Sequence, residues 1–412
     1  MTDLRDRTIA TGVPVLDDDP FGPDVLEDPL PFHRRLRGAG PVVYLSRYGI
    51  YGMGRYDEVL EALRNWQGFQ SGAGVGLSNF RTEKPWRRPS LLLEADPPRH
   101  DAPRRVLAGL LAPRALRRLR ERWRKVADEL VDRLLADGGE FDAVPALAKA
   151  FPLRVFPDLV GLSEEGREHL LPYGDFLFNA FGPHNDLVKA GEPTAPDHSA
   201  WVDHQCRRDM LAPGGIGARI WAAADRGELT HDQAPLVVRS LLSAGVDTTV
   251  HGLAAVLHAF AAHPEQWARL RERPHLARVA FDEAVRWAGP VQTFFRTAGG
   301  GTASCGTAIG GTVIPDGEKI LMFLHSANRD PRRWDDPDAF DLARDPSGHV
   351  GFGFGIHQCV GQHVARLEAE SLLGALAARV STIEPTAPGR RHHNNTLSGW
   401  QTLPVRLATH RP

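Results

Sequence analysis

Apolar residues along the 412-residue chain recur mostly at helical spacing. Ala365, Ala369, Leu372, Leu373, Leu376 and Val380 fall on one face of a helix. Leu236 to His258 is apolar almost throughout, as a core helix is. Tyr56 to Trp66 and Phe281 to Trp287 also read as helical, and Pro103 to Ala136 as a long, arginine-rich helix. Strand patterns are shorter. Val42-Val43-Tyr44-Leu45 and Ile50-Tyr51-Gly52-Met53 flank a polar turn and predict a hairpin. The stretch from Phe294 to Met322, punctuated by Gly and Thr, is strand-rich, and the tail from Asn394 reads as a second hairpin. Residues 1–40, rich in Pro, Asp and Gly, predict an irregular arm, and Gly68 to Pro98 a loop. The expectation is a mainly α protein with small β-sheets, a single domain over 1–412, with no internal repeat.

Composition narrows the setting. The formal net charge of −2 implies no general affinity for nucleic acid. The 3 cysteines, Cys206, Cys305 and Cys359, make no disulfide framework and suit a reducing compartment. Met1-Thr2-Asp3-Leu4-Arg5-Asp6 lacks the apolar core of a signal peptide, and no uninterrupted apolar run is long enough to span a bilayer. A soluble, cytoplasmic protein with no membrane partner is expected.

The chemistry concentrates at Gly351-Phe352-Gly353-Phe354-Gly355-Ile356-His357-Gln358-Cys359-Val360-Gly361. Gly353 and Gly355 permit positive φ and close approach of backbone to a flat ligand. Gly361 removes a side chain beside the cysteine, and Phe352 can cover the sulfur. The helical stripe that follows puts Cys359 near a helix N-terminus, where the dipole and free N–H groups favour thiolate. A thiolate is an axial ligand for haem iron and favours O–O cleavage there.

This segment resembles the haem-binding loop of bacterial cytochrome P450 enzymes, and the resemblance runs from about Asp19 to Leu407. It implies the cytochrome P450 fold, a haem b cofactor ligated by Cys359, and monooxygenase activity. Ala244-Gly245-Val246-Asp247-Thr248-Thr249 resembles the family's oxygen-activation helix, which makes Asp247 and Thr248 the acid–alcohol pair that handles protons. Physically, small residues leave room for a ligand, an acid and a hydroxyl can pass protons, and a threonine can bend a helix through an earlier carbonyl. His100, Arg104, Arg296 and His357 match donors to the haem propionates, with Phe352 and Gly353 also against the cofactor. Glu283 and Arg286 match a buried structural lock, whose usual third member, an arginine, is replaced by Ala339. Arg344 is a substitute for it.

Substrate and partners follow from finer similarity. Residues 74–90 and Arg239-Ser240-Leu241-Leu242-Ser243 resemble segments of enzymes that oxidise para-substituted benzoates, for example by O-demethylating 4-methoxybenzoate. The resemblance nominates Arg87, Ser90, Arg239, Ser240 and Ser243 for the carboxylate, and Leu93, Phe178, Phe181, Ala244 and Phe294 for the aromatic body. A carboxylate entering an apolar pocket needs charge-assisted donors. At about 100° per residue Arg239 falls opposite Thr248 and reaches the pocket only through its long arm or a helix distortion. The chain carries no flavin or nicotinamide fingerprint. Electrons are therefore expected from NAD(P)H through a reductase and a ferredoxin of the 2Fe–2S type. That ferredoxin would dock by charge on the face of Arg114, Arg117, Arg118, Arg120, Arg122, Arg124 and Lys125. The alternatives are a monooxygenase for another small hydrophobic acid or natural-product precursor, and a haem-binding sensor or carrier without turnover.

Overall fold

The structure is a computed structural model that describes residues 10–300 and 306–409. Met1 to Asp6 and Cys305 lie outside the described residues. Helices dominate. The apolar helix predicted over Leu236 to His258 is central, and the largest buried cluster is built around it. By length and composition, Gln233–Ala262 is apolar enough to cross a membrane, yet it is mostly buried inside the protein.

That helix is broken in two. Gln233–Ala244 ends at Gly245, and Asp247–Ala262 begins after Val246. The Thr248 hydroxyl donates to the Ala244 carbonyl at 2.8 Å and the Thr249 hydroxyl to the Gly245 carbonyl at 3.4 Å. These hydroxyls return to carbonyls one turn back, which bends a helix and opens its surface. A Cβ on Gly245 would run into Phe156 and lie 2.6 Å from the Leu241 carbonyl oxygen, so only glycine fits the break.

The arginine-rich stretch is likewise three helices, Asp101–Leu110, Pro113–Leu116 and Leu119–Ala136. Pro113 accounts for the first interruption, because it supplies no N–H and starts a new helix well. The N-terminal arm is more ordered than expected. Pro23–Glu27 and Leu30–Ala39 are helical, and Phe32 and Leu36 bury against sheet residues. Its apolar positions, spaced four apart, were masked by the local density of Pro and Asp.

A six-stranded sheet runs in the order Val15–Leu16, Val43–Leu45, Ile50–Met53, Lys319–Phe323, Thr293–Ala298, Phe69–Gln70. The predicted first hairpin is present, with Tyr44 opposite Tyr51. In Thr293–Ala298, Phe294 and Arg296 are two residues apart and share a face. Both reach the central cavity, while Phe295 packs into the core on the other side. The C-terminal hairpin pairs Arg390–His393 with Ser398–Thr402, beginning slightly earlier than expected.

The Glu283–Arg286 pair is fully buried. Arg286 donates to both Glu283 oxygens at 2.7 and 2.8 Å and to the carbonyls of Asn328, Pro337 and Ala339. Arg344 Nε donates to Glu283 at 3.1 Å and fills the third place. Ala339 therefore contributes only its carbonyl. The Asn328 side chain in turn accepts from Val350 N–H, one residue before the cysteine loop, so the lock is one step from that loop.

Candidate active site

The cysteine loop is shaped by two glycines. Gly353 and Gly355 have φ of +66° and +69°, and a Cβ at Gly355 would sit 2.6 Å from the Leu63 carbonyl oxygen. Cys359 N–H donates to the Phe352 carbonyl at 2.8 Å, and the helix Gln362–Arg379 starts three residues on. The thiol is accessible only in the sense that it lines an internal cavity, where it is otherwise enclosed by protein. Burial pushes it up. The N–H groups of Gly361 and Gln362 and the guanidinium groups of Arg104 and Arg366 act in the opposite direction. The expected acidification by the helix start is thus present but outweighed by desolvation in the free thiol. A coordinated cation would reverse that balance.

The cavity, about 1500 Å³ including its mouth, has two broad faces. Phe352, Gly353, Cys359, Val360, Gly361 and Val364 form one, and Ala244, Gly245, Thr248, Thr249 and Gly252 belong to the opposing helix. Arg104, Arg296 and His357 also line it. Arg296 is buried, its pKa pushed down to about 10 by desolvation. His357 donates from Nδ1 to the Leu92 carbonyl at 3.0 Å, and its buried Nε2 lies 3.5 Å from Asp96 Oδ1. His100 lies behind it, ring centroids 4.8 Å apart, and its Nε2 is buried and unpartnered. Burial lowers both imidazoles. Two arginines with two imidazoles beside them, next to a slot with a cysteine on one wall, are what a flat dianionic macrocycle requires. The donor set fits haem: Cys359 could hold the iron, and Arg104, Arg296, His100 and His357 the carboxylates.

Ser240, Leu93, Phe178 and Phe294 line the same cavity. Phe181 stands behind them, edge-on to Phe178 at 5.7 Å and 6.1 Å from Phe294. Ser90 Oγ lies 3.2 Å from Ser240 Oγ and accepts from the N–H groups of Leu92 and Leu93. Ser243 is turned back, donating to the Arg239 carbonyl at 2.9 Å.

Arg239 does not reach the cavity. Its Nε donates to Tyr173 Oη at 2.8 Å and sits 3.4 Å from Asp203, so the side chain points to the far side of its helix. The carboxylate role expected for it is corrected accordingly. Arg87 is held in a buried place and is not in open loop. Only 11% of its side chain is exposed, it pairs with Glu94 at 2.9 Å, and it lies over the rings of Trp86 and Phe181. Glu94 had no motif to mark it. The Arg87 Nε and Glu94 Oε1 atoms remain unpartnered.

Asp247 lies behind the cavity wall. Burial, and secondarily the charge of Asp175, push its carboxyl up to about 7. A Cβ on Gly174 would touch the Asp247 Cβ at 3.1 Å, so a glycine is what lets the acid sit there. One turn on, His251 has its Nε2 3.5 Å from Asp247 Oδ1.

Comparison with known proteins agrees with this geometry. Residues 280–386 match the family model described as Cytochrome P450. The chain is 55% identical over 396 residues, 96% of this chain and 95% of the relative, to Cytochrome p450 CYP199A2 of Rhodopseudomonas palustris. It is similar to the structure of Cytochrome P450 CYP109Q5 from Chondromyces apiculatus, with a TM-score of 0.78, 28% identity, and 96% and 99% of the two chains covered. It is also similar to cytochrome P450 CREJ in complex with (4-ethylphenyl) dihydrogen phosphate, with a TM-score of 0.82, 25% identity, and 95% and 99% covered. The chain belongs to the cytochrome P450 family: it is a monooxygenase that carries haem b and receives electrons from NAD(P)H through redox partners.

Proposed function

We propose that this cytochrome P450 oxidises a small para-substituted benzoate, by O-demethylation or hydroxylation. The observation that carries the reading is Ser240, which lines the cavity beside Phe178 and Phe294, backed by the Ser90 hydroxyl and by buried Arg87. Arg87 is tied to Ser90 through Glu94, which accepts from both Arg87 and Ser90 N–H. Arg87 has an unpartnered Nε to offer a carboxylate, whereas Ser240 donates to the Leu236 carbonyl at 2.9 Å and would have to turn its hydroxyl from that carbonyl to bind an acid. Holding the acid end in this way orients the para substituent, which is catalysis by positioning. The neighbour with a bound 4-ethylphenyl phosphate shows a related fold taking an aromatic anion, and supports the same class of ligand.

The haem, when bound, supplies activation of dioxygen with two electrons, one oxygen atom going to substrate and the other to water. In this reading Cys359 Sγ would hold it, Arg104 and Arg296 would neutralise its carboxylates, and His100 and His357 would lie beside them. Thr248 presents its hydroxyl at the cavity while bonded to the Ala244 carbonyl. Asp247, poised near neutrality, holds a proton behind that hydroxyl. A methoxy substrate hydroxylated at its methyl collapses to a phenol and formaldehyde.

Electrons come from a ferredoxin of the 2Fe–2S type in this reading. Part of the proposed arginine face is spent internally, since Arg120 pairs with Glu370 and Arg122 with Asp158. Arg117 and Arg278 line a depression beside the helix that follows Cys359 and supply cationic surface for docking, while Arg366 in the same depression is paired with Asp282.

The test is an optical titration of the ferric protein with 4-methoxybenzoate beside its methyl ester. A low- to high-spin shift with the acid and not the ester is expected. An equal response to both overturns the carboxylate reading and returns the question to neutral aromatics. No response to either removes benzoates as the substrate class.

A further inference from the structure

Behind Asp247 lies a run of titratable groups that the proposed reaction does not yet use. His251 Nε2 faces Asp247 Oδ1 at 3.5 Å, and the two side chains are 5% and 8% exposed. The His251 ring stacks on that of His392, centroids 5.1 Å apart and 23° from parallel. His392 Nε2 is 2.7 Å from Asp175 Oδ1, and these two side chains are 28% and 35% exposed. The groups are ranged from the acid behind the cavity to the surface, with ring stacking and no direct hydrogen bond between the two histidines.

This arrangement is built. Gly399 is the cross-strand partner of His392, and a Cβ there would collide with His251 Nδ1. The hairpin thus omits one side chain to admit the imidazole. Asn394 also donates to Asp175 at 2.8 Å, which ties the hairpin to the Leu170–Asn179 helix. Yet Asp247 Oδ2, His251 Nδ1 and His251 Nε2 all lack hydrogen-bond partners.

We propose that His251, loaded from the surface pair His392–Asp175, returns protons to Asp247, so that protons enter through the C-terminal hairpin. The proposal rests on the monooxygenase reading above, in which each turnover consumes two protons. A neutral imidazole accepts a proton at one nitrogen and releases one from the other, so His251 passes it on without net change. His392 takes its replacement from water.

The charged groups facing this line are Asp175 from the Leu170–Asn179 helix, His392 from the hairpin and Lys149 from the segment before Ala150. Desolvation, with His392 adding to it, holds His251 down to about 3, so it rests neutral. His392 is raised: burial acts against the charged form, but the hydrogen bond and charge of Asp175 outweigh it. The outer histidine therefore stores the proton and the inner one transfers it.

The experiment uses the full-length holoenzyme. His251→Phe keeps a ring and removes both nitrogens. His392→Lys keeps a cation against Asp175 but does not release a proton readily at neutral pH. For His251→Phe a fall in kcat of roughly 10- to 100-fold is expected. A larger solvent deuterium isotope effect and unchanged substrate spin-shift affinity should accompany it. The same pattern is expected for His392→Lys, which lies at the surface and tests the proposal should His251→Phe not fold. Full rates in His392→Lys would show that only its charge matters, and would overturn the relay. A wild-type rate and isotope effect in His251→Phe would do the same. A separate readout needs neither turnover nor substrate: 15N-histidine NMR of the ferrous–CO protein, with signals assigned from the variants. His392 should titrate above the ordinary histidine range and His251 should stay neutral from about pH 5 to 8. A His251 that is charged at neutral pH refutes the proposal, whatever becomes of the benzoate assignment.

Discussion

Replacing Glu283 with glutamine isolates one buried charge. The pair it breaks is completely enclosed, and Arg286 and Arg344 both direct N–H groups at the lost carboxylate. Three of Arg286's other bonds go to carbonyls, which solvate a cation but do not neutralise it. Removing one member of such a pair costs about 3–5 kcal/mol, because the remaining charge stays desolvated. Against a typical total of about 5–15 kcal/mol, that is a large share. Arg344→Ala should cost much less, about 1 kcal/mol, because its other bonds are to exposed carbonyls of Asp335 and Asp336. The assay is urea unfolding of the holoprotein at equal protein concentration, followed by tryptophan fluorescence and by the ferrous–CO band. Glu283→Gln should lower the midpoint markedly and shed haem early, because Asn328 links the lock to the cysteine loop. A loss below about 1 kcal/mol for Glu283→Gln, or an equal loss for Arg344→Ala, would refute the argument that an uncompensated internal charge dominates here.

Other outcomes follow from the same geometry. Arg87→Gln should weaken 4-methoxybenzoate binding by about 1.5–3 kcal/mol, the worth of a charge-assisted hydrogen bond, and leave the methyl ester's affinity unchanged, as read by spin-shift titration. Gly355→Ala places a Cβ against the Leu63 carbonyl at positive φ, so it should destabilise by more than about 1 kcal/mol and lower haem retention, measured as haem per protein after gel filtration. Asp247 is raised in the folded state, to about 7, so between the unfolded pKa and about 7 the unfolded chain has released a proton that the folded chain keeps. Stability from this group therefore falls as pH rises through that window. Asp247→Asn should be more resistant to urea than wild type at alkaline pH, and the difference should vanish in acid.

Much of this was legible along the chain because it is local. The glycine spacing around Cys359, the alternation in Thr293–Ala298 and the apolar run before Asp247 each encode a short-range geometry, and the structure has each of them. The two helical overstatements were also local in origin. Hydrophobic periodicity continues across Gly245-Val246 and across Ala112-Pro113, but the hydroxyl of Thr248 and the missing N–H of Pro113 interrupt the backbone bonds.

Sequence by itself determined that a cysteine would be delivered on a glycine-shaped loop to the start of a helix, and that another helix would carry small residues, an acid and a hydroxyl. Those features depend on neighbours within a few residues, and backbone sterics dictates them. Tertiary structure alone decided which charges meet. It turned Arg239 toward Tyr173 and Asp203, gave Arg87 to Glu94, and set His251 against His392 from a hairpin more than a hundred residues away. Partners of that kind are chosen by packing across the fold, and burial then sets their protonation. Neither leaves a periodic trace in the sequence.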